Sequence, residues 1–206
     1  MPFAPISLRF KDADRMAVDD EPSYYVHEHA GDVVLIEVDE DIVETPIGKF
    51  SASYVNATAA LNADYPLSYV FDATQTILDM HTALYKGWKL SPAAQRAGRL
   101  DCVSEWTNVL YLDRLEIGEA WRGNRYGLAA MLGLMHHLQM GAGAVILKAF
   151  PLDFEHGGSN WGKGPEDFRK AQQKLMRYYK HMGFQRVGRS DYMIRSTDWP
   201  LPVISI

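Results

Sequence analysis

Between a predicted strand and a predicted helix lies a short segment rich in glycine and arginine, which extends from Arg122 to Gly127. Glycine lets the backbone approach a ligand closely, and the free N–H groups of a helix's first turn attract phosphate. Arg122 and Arg125 add positive charge that favours a pyrophosphate. The same pattern also occurs at strand-to-helix turns that bind nothing. The segment therefore indicates either a phosphate site or a plain turn, and its context has to decide.

A second motif consists of Tyr179, Gly183 and Phe184 and lies at the end of the last predicted helix. The two segments follow each other with a predicted strand and a predicted helix between them. In this order they resemble the acetyl-CoA motif and the Leu-Tyr-x-x-x-Gly-Phe signature of the GNAT superfamily of N-acetyltransferases. The resemblance covers residues 107–195, which is under half of the chain.

Two positions depart from the family's pattern. Arg125 stands where the family usually has the middle glycine of its acetyl-CoA motif. Either Arg125 has helical backbone dihedrals and contacts phosphate itself, or the turn is degenerate. Gln172 replaces an asparagine that precedes the tyrosine in the family, which is a milder change.

The resemblance implies acetyl-CoA as the acyl donor, bound without a metal. An amine that attacks a thioester needs a base for its proton, a hydrogen-bond donor for the oxyanion and an acid for the leaving thiolate. The resemblance assigns the oxyanion to backbone N–H groups near Leu115–Ile117 and the acid role to Tyr179. Tyr178 is the competing phenol, and packing alone is the alternative role of Tyr179. The implied acetyl-CoA-binding residues are Leu115, Ile117, Arg122, Gly123, Asn124, Arg125, Tyr126 and Gly127.

Asp113 is the candidate general base. In an unbroken strand it shares a face with Tyr111 and Leu115, and that strand leads to the phosphate turn. Glu116 points to the other face unless a bulge re-aims it. Two alternatives stay open. Asp113 forms a salt bridge with Arg114 or another surface cation, or a chain of water molecules replaces a dedicated base.

Two further patterns suggest ligands, and we reject both. The segment from Gly157 to Lys163 has P-loop spacing, but Gly164 replaces the hydroxyl residue that binds magnesium. His27 and His29 flank Glu28 on a predicted strand, but no convincing third ligand lies near them. We therefore predict no metal site.

The loop after the predicted strand at 144–149 carries several polar and aromatic side chains. In the family that the chain resembles, this loop borders the acceptor site. Its side chains either select the acceptor or simply face solvent. They are Asp153, Glu155, His156, Asn160 and Trp161.

Apolar periodicity and turn residues predict the elements that would position these side chains. The predicted α+β fold is a mixed, mostly antiparallel sheet flanked by helices, as in GNAT proteins. Residues 1–206 then form one domain, with the motifs at 107–195 and a helical insertion at about 57–104. The predicted elements are a hairpin at 32–55 that turns at Thr45–Gly48, helices at 66–86, 127–140 and 165–182, a short helix opened by Ser91-Pro92, and strands at 109–117, 144–149, 184–187 and 192–195.

Composition and charge limit the function classes. The chain has 206 residues, 47% of them hydrophobic and 23% charged, as is typical of a globular protein. Its net charge of −5 predicts that neither nucleic acid nor membrane is a partner. A single cysteine, Cys102, suits a reducing compartment, so we expect a cytoplasmic protein and do not assign Cys102 as a nucleophile. A homodimer is left open.

These observations lead to one functional hypothesis and two alternatives. The hypothesis is an N-acetyltransferase that moves an acetyl group from acetyl-CoA to a primary amine, on a small molecule or a peptide, by direct attack. The first alternative is a non-catalytic module with the same fold that binds acyl-CoA or another protein. The second keeps the enzyme but gives it a longer acyl donor.

Overall fold

The computed structural model describes residues 6–11, 24–38, 41–100 and 108–203. Its strands are β1 (Ile6–Lys11), β2 (Val26–Val38), β3 (Ile42–Val55), β4 (Tyr85–Lys86), β5 (Lys89–Leu90), β6 (Val109–Ile117), β7 (Ala144–Lys148), β8 (Gln185–Arg186) and β9 (Tyr192–Ser196). Its α-helices are α1 (Ala57–Asn62), α2 (Leu67–Phe71), α3 (Gln75–Leu84), α4 (Pro92–Gly98), α5 (Tyr126–Leu138) and α6 (Pro165–Lys180). Cys102 lies outside the described residues.

Seven of these strands pair into one sheet, in the order β1-β2-β3-β6-β7-β9-β8. β6 and β7 are parallel, while the other neighbours in this sheet are antiparallel. Helix α5 connects β6 to β7, which makes a βαβ unit in the centre of the sheet. The predicted α+β class, with a mixed and mostly antiparallel sheet flanked by helices, is confirmed. The GNAT-type order of strand, turn, helix and strand is confirmed with it.

Helices cover both faces of this sheet, and each face has its own apolar core. On one face, which we call the insertion face, side chains of α1 to α4 pack against Val109 and Tyr111 of β6. On the other face, the α5–α6 face, side chains of α5 and α6 pack against Leu110 and Leu112. Alternate residues of a strand point to opposite faces, so β6 is apolar on both sides, as a central strand must be.

The hairpin of β2 and β3 is longer than predicted, and its predicted turn is wrong. β3 runs through Thr45–Gly48 as a strand, since β2 ends at Val38 and β3 begins at Ile42. The ladder tolerates Pro46 for two reasons. The register with β2 shifts between Val33 and Val34, and the pairing of β3 with β6 begins only at Gly48.

The helix predicted at 66–86 is also wrong, because two helices and a strand occupy that range. α2 ends at Phe71, and the Thr74 side chain then accepts a hydrogen bond from the Ile77 amide, which starts α3. Threonine competes for backbone N–H groups in this way, so it favours the start of a helix over its interior. After α3, Tyr85–Lys86 pairs with Lys89–Leu90 in a separate two-stranded sheet.

One other difference is smaller. β1 lies outside every predicted element, although its six residues alternate between apolar and polar, and it forms an edge strand that pairs with β2. Among the helices in the described ranges, none has both the length and the apolar character that crossing a bilayer requires.

The start of α3 can be tested by substitution. We expect Thr74→Ala to lower the free energy of unfolding by about 1 kcal/mol, because the Ile77 amide loses its capping oxygen. Urea unfolding followed by circular dichroism measures the change. Thr82→Ala, on the exposed side of the same helix, is the control and should change stability by less than about 0.5 kcal/mol. Equal effects of the two substitutions would contradict a cap at Thr74.

Candidate active site

The two central strands of the sheet separate part-way along their length. Parallel pairing of β6 with β7 runs from Val109 and Ala144 to Leu112 and Leu147, yet β6 continues to Ile117. A cavity of about 780 Å³ opens where the pairing ends. Beyond Leu112, no strand of the described residues lies beside the edge of β6 that faced β7. The N–H and C=O groups on that edge that no side chain binds are therefore available to a ligand.

A β-bulge lies in β6 at the point where the cavity begins. Ser51 and Ala52 of β3 pair with Arg114 and Leu112, so Asp113 is the extra residue. The bulge shifts the alternation, and Leu115 packs in the α5–α6 core while Tyr111 packs in the core of the insertion face. The expectation that Asp113 shares one face with both residues is therefore wrong. The Ser51 hydroxyl donates a 2.9 Å hydrogen bond to Asp113 Oδ2 and orients its carboxylate.

The turn before α5 has the backbone of a phosphate-binding turn in spite of its arginine. Gly123 has a φ of +89°, and no atom lies within 4 Å of the position that a Cβ would take there. Arg125 has φ 61° and ψ 9°, which is the left-handed region that glycine favours. Helical dihedrals at Arg125, one of the two sequence-based alternatives, are therefore wrong. Arg125 therefore holds a backbone conformation that glycine adopts without strain.

Helix α5 begins without the groups that usually complete a helix N-terminus. Its N-cap, Arg125, makes no side-chain cap hydrogen bond, and no acidic residue lies in its first turn. By contrast, Asn56, Thr74 and Ser91 cap α1, α3 and α4. The N–H groups and the positive dipole end of α5 are thus left for an anion at the cavity mouth.

Two ion pairs join the loop after β7 to the side of the cavity formed by β6 and the turn. Arg122 donates from Nη1 to both carboxylate oxygens of Asp153, at 3.0 and 3.1 Å, and from Nε to the Ile117 carbonyl. Arg114 binds Glu155 at 2.7 Å. Arg114 pairs with Glu116 and Glu155 and not with Asp113, so a salt bridge between Asp113 and Arg114 is not formed.

Two neighbouring tyrosines of α6 line the cavity on the α5–α6 face. The Tyr178 hydroxyl lies over Gly127, where an added Cβ would be 2.8 Å from it. Burial raises the pKa of Tyr178 to about 12, although a hydrogen bond with the Leu128 backbone lowers that pKa in part. Tyr179 packs edge-to-face on Phe184, with ring centroids 6.4 Å apart, and burial raises the pKa of its phenol as well. Both phenols therefore keep their protons near neutral pH.

The cavity passes through the sheet and continues on the insertion face. Its lining there includes Tyr111, Tyr192 and Asp79, of which Asp79 comes from α3. Sequence reasoning missed Asp79 and Tyr192 as site residues. The place of Tyr192 on the strand beside β7 could have indicated it, but no motif marks Asp79, because only the packing of α3 on the sheet brings it to the cavity.

Of the residues predicted from the sequence, most meet at this cavity. Asn124 is not among the lining residues, and its side chain is directed towards the Trp121 carbonyl, 3.5 Å away. His156 and Trp161 pack on each other, with ring centroids 5.0 Å apart, and do not line the cavity. The predicted residues that line it are Asp113, Leu115, Ile117, Arg122, Gly123, Arg125, Tyr126, Gly127, Asp153, Glu155, Asn160 and Tyr179.

Histidine and acidic side chains do not cluster as metal ligands in the described ranges. No group of three or more His, Cys, Asp or Glu side chains there is arranged to hold an ion. His29 instead packs near Phe10, with ring centroids 6.3 Å apart. Burial, and secondly the neighbouring His27, lowers the pKa of His29.

Comparison with known proteins found likeness at the level of structure. No protein-family model matches the chain, and no curated protein sequence matches it. A tyrosine-to-phenylalanine mutant of KacT superposes with a TM-score of 0.45 at 13% identity, over 83% of this chain and 72% of that one. The KacTA–DNA complex gives 0.46 at 11% identity, over 94% of both chains. AtaT with acetyl-methionyl-tRNAfMet gives 0.45 at 10% identity, over 94% of this chain and 96% of that one.

One sequence-based prediction is corrected by these structures. The net charge of −5 led us to exclude nucleic acid as a partner. Two of the similar structures are complexes with DNA or with tRNA, so that exclusion is wrong. The physical reason is that net charge sums over the whole chain, whereas contact with phosphates requires only a local patch of positive charge.

The close contact between Gly127 and Tyr178 allows a double-mutant test. We expect Gly127→Ala to lower the free energy of unfolding by about 1–2 kcal/mol, because the added methyl group meets the Tyr178 hydroxyl at 2.8 Å. In a Tyr178→Phe background the next ring atom is 3.8 Å away, so the cost should vanish. Urea unfolding of the four proteins measures the coupling. Additive effects would contradict the contact.

Proposed function

We propose that the chain is an N-acetyltransferase that transfers an acetyl group from acetyl-CoA to a primary amine by direct attack. The observation that carries this proposal is the cavity that crosses the sheet where β6 and β7 separate. A donor can enter from the α5–α6 face and an acceptor from the insertion face. Such an arrangement brings two substrates together at one point without a covalent enzyme intermediate.

The mouth of the cavity fits the diphosphate of acetyl-CoA. The left-handed backbone at Gly123 and Arg125 directs the turn around an anion, and the uncapped start of α5 offers N–H donors. Arg122 supplies a guanidinium at the same mouth. Acetyl-CoA, when bound, supplies an acetyl group that its thioester activates for transfer.

The walls further in hold the groups that acyl transfer requires. On the free edge of β6, N–H groups near Leu115–Ile117 are the donors we propose for the developing oxyanion. Asp113, oriented by Ser51, is the proposed acceptor of the amine's proton. Tyr179 is the proposed donor of a proton to the departing thiolate, since burial keeps its phenol protonated. The nitrogen–carbon bond forms first and gives the oxyanion, which collapses as the carbon–sulfur bond breaks. Asp113 gains the proton of the amine and Tyr179 gives one to the thiolate, so the enzyme's total number of protons is unchanged.

A second candidate function has one observation in its favour. Arg122 is bound by Asp153 through both carboxylate oxygens, so this cation of the turn is already paired within the protein. A protein that keeps this fold as a non-catalytic acyl-CoA-binding or protein-interaction module would tolerate such a contact. The two functions differ in a simple measurement, because the module binds CoA without turnover or does not bind it at all.

Calorimetric titration with acetyl-CoA tests the donor site. We expect binding below millimolar concentration, and we expect Asp153→Asn to strengthen it about twofold to fivefold, because the carboxylate no longer competes for Arg122. Asp41→Asn makes the same change in net charge at the exposed end of the hairpin and is the control. Absence of binding at millimolar acetyl-CoA would contradict the proposal.

Kinetics of the transfer test the role of Tyr179. We expect Tyr179→Phe to lower kcat by about tenfold to a hundredfold while the affinity for acetyl-CoA changes less than twofold. Because burial raises the pKa of Tyr179 above its ordinary 10.0, kcat should show no alkaline loss from this group below pH 10. Tyr178→Phe is the matched control. Equal loss of turnover and affinity would show that Tyr179 is structural.

A further inference from the structure

The insertion-face end of the cavity contains side chains that the proposed reaction leaves without a role. Tyr111 on β6 and Tyr192 on β9 place two phenols there, with ring centroids 6.4 Å apart. α3 adds Asp79, which comes from the part of the chain that precedes both motif segments. Asp113, at the bulge of β6, lines the same cavity.

Both phenol side chains are largely buried and line the cavity. Tyr111 is 2% exposed and Tyr192 is 5% exposed. Within the described part of the chain, neither hydroxyl forms a hydrogen bond with another residue. Neither oxygen is fully enclosed without a partner, so both hydroxyls open onto the cavity. A ligand in the cavity can therefore supply their hydrogen bonds.

Two carboxylates face the same space, and neighbouring side chains hold each in position. Asp113 accepts from Ser51 at 2.9 Å, and Asp79 accepts from the Gln75 amide at 2.7 Å. Neither forms an ion pair with a cation of the described residues. Burial first, and then charges that include Asp79 and Asp113, raises the pKa of Tyr192 to about 12. The two carboxylates and the two phenols line the same cavity.

The balance of charge on this wall favours a cation. Lys148 also lines it, with its ammonium 5.7 Å from the centroid of the Tyr192 ring. Two carboxylates and one ammonium leave one net negative charge. Arg114 adds no free positive charge, because Glu155 and Glu116 both bind it and the three groups together carry one more negative charge.

We propose that Asp79, together with the hydroxyls of Tyr111 and Tyr192, binds a second cationic group of the acceptor. The reacting amine lies next to Asp113, and the second cation lies against α3. The acceptor is then a primary amine that carries another positive charge a short chain away, whatever molecule bears it. Charge-assisted hydrogen bonds to a carboxylate and neutral phenols give this subsite both affinity and direction. The inference rests on the proposed function and names the chemical class of its acceptor.

Calorimetric titration of the full chain with two amines of equal length tests the subsite. The probes are 1,4-diaminobutane, which carries two charges at pH 7, and butylamine, which carries one. We expect the diamine to bind at least about tenfold more tightly. Asp79→Asn, which keeps an oxygen for Gln75, should remove that difference and leave the butylamine affinity unchanged. Asp72→Asn, at an exposed aspartate outside the cavity, is the control and should keep the difference.

A second variant tests whether loss of diamine binding comes from the subsite and not from a change in the fold. Tyr111→Phe keeps the ring in the core and removes the hydroxyl, and we expect it to weaken diamine binding about threefold to tenfold. Three results would overturn the proposal. They are equal affinity for the two amines, a preference for the diamine that remains in Asp79→Asn, and loss of binding of both amines in that variant. Titration with CoA separates this from the proposed function. Diamine preference without CoA binding contradicts the function alone, and CoA binding without diamine preference contradicts the subsite alone.

Discussion

The geometry of the site depends on the point at which β6 and β7 stop pairing. Up to Leu112 the two strands share the parallel ladder, and beyond it β6 remains bonded only to β3. An unpaired strand edge in the middle of a sheet exposes backbone polar groups that need partners. The bulge at Asp113 turns β6 at the same place and reassigns its later side chains between the two faces. The cavity, its backbone donors and the placement of Asp113 all follow from this one interruption.

The two ends of the cavity carry charges of opposite sign. The mouth next to α5 has an uncapped helix start and Arg122. The end next to α3 has carboxylates of which two are not joined to any cation in the described ranges. Between them, the ion pairs of Asp153 and Glu155 tie the loop after β7 across the cavity. An anionic donor and a cationic acceptor are thus favoured at different ends of one passage.

The central part of this fold could be predicted from the sequence, and the outer parts could not. β6 and α5 were predicted within two residues of their observed ends. Their ends depend on nearby residues, because a regular apolar pattern marks each element and glycines follow the helix. The predictions of the hairpin turn and of a single helix at 66–86 were wrong for local reasons. A bulge next to Pro46 lets β3 continue through the predicted turn, and a threonine cap divides the helix. Asp79 was missed because its role depends on packing between segments distant in sequence. Tyr179 was proposed from the resemblance to a known signature, and Tyr178 beside it lines the cavity as well.

Separation of the two cores by the sheet has a consequence for how this protein can change over time. The donor end is built from α5, α6 and the turn, whereas the acceptor end draws on α3, which belongs to the other core. Substitutions in α3 alter side chains that do not pack against α5 or α6. Selection can therefore remodel the acceptor end while the donor end stays intact. The same independence gives protein engineers a scaffold in which new acceptors are sought by randomising one helix.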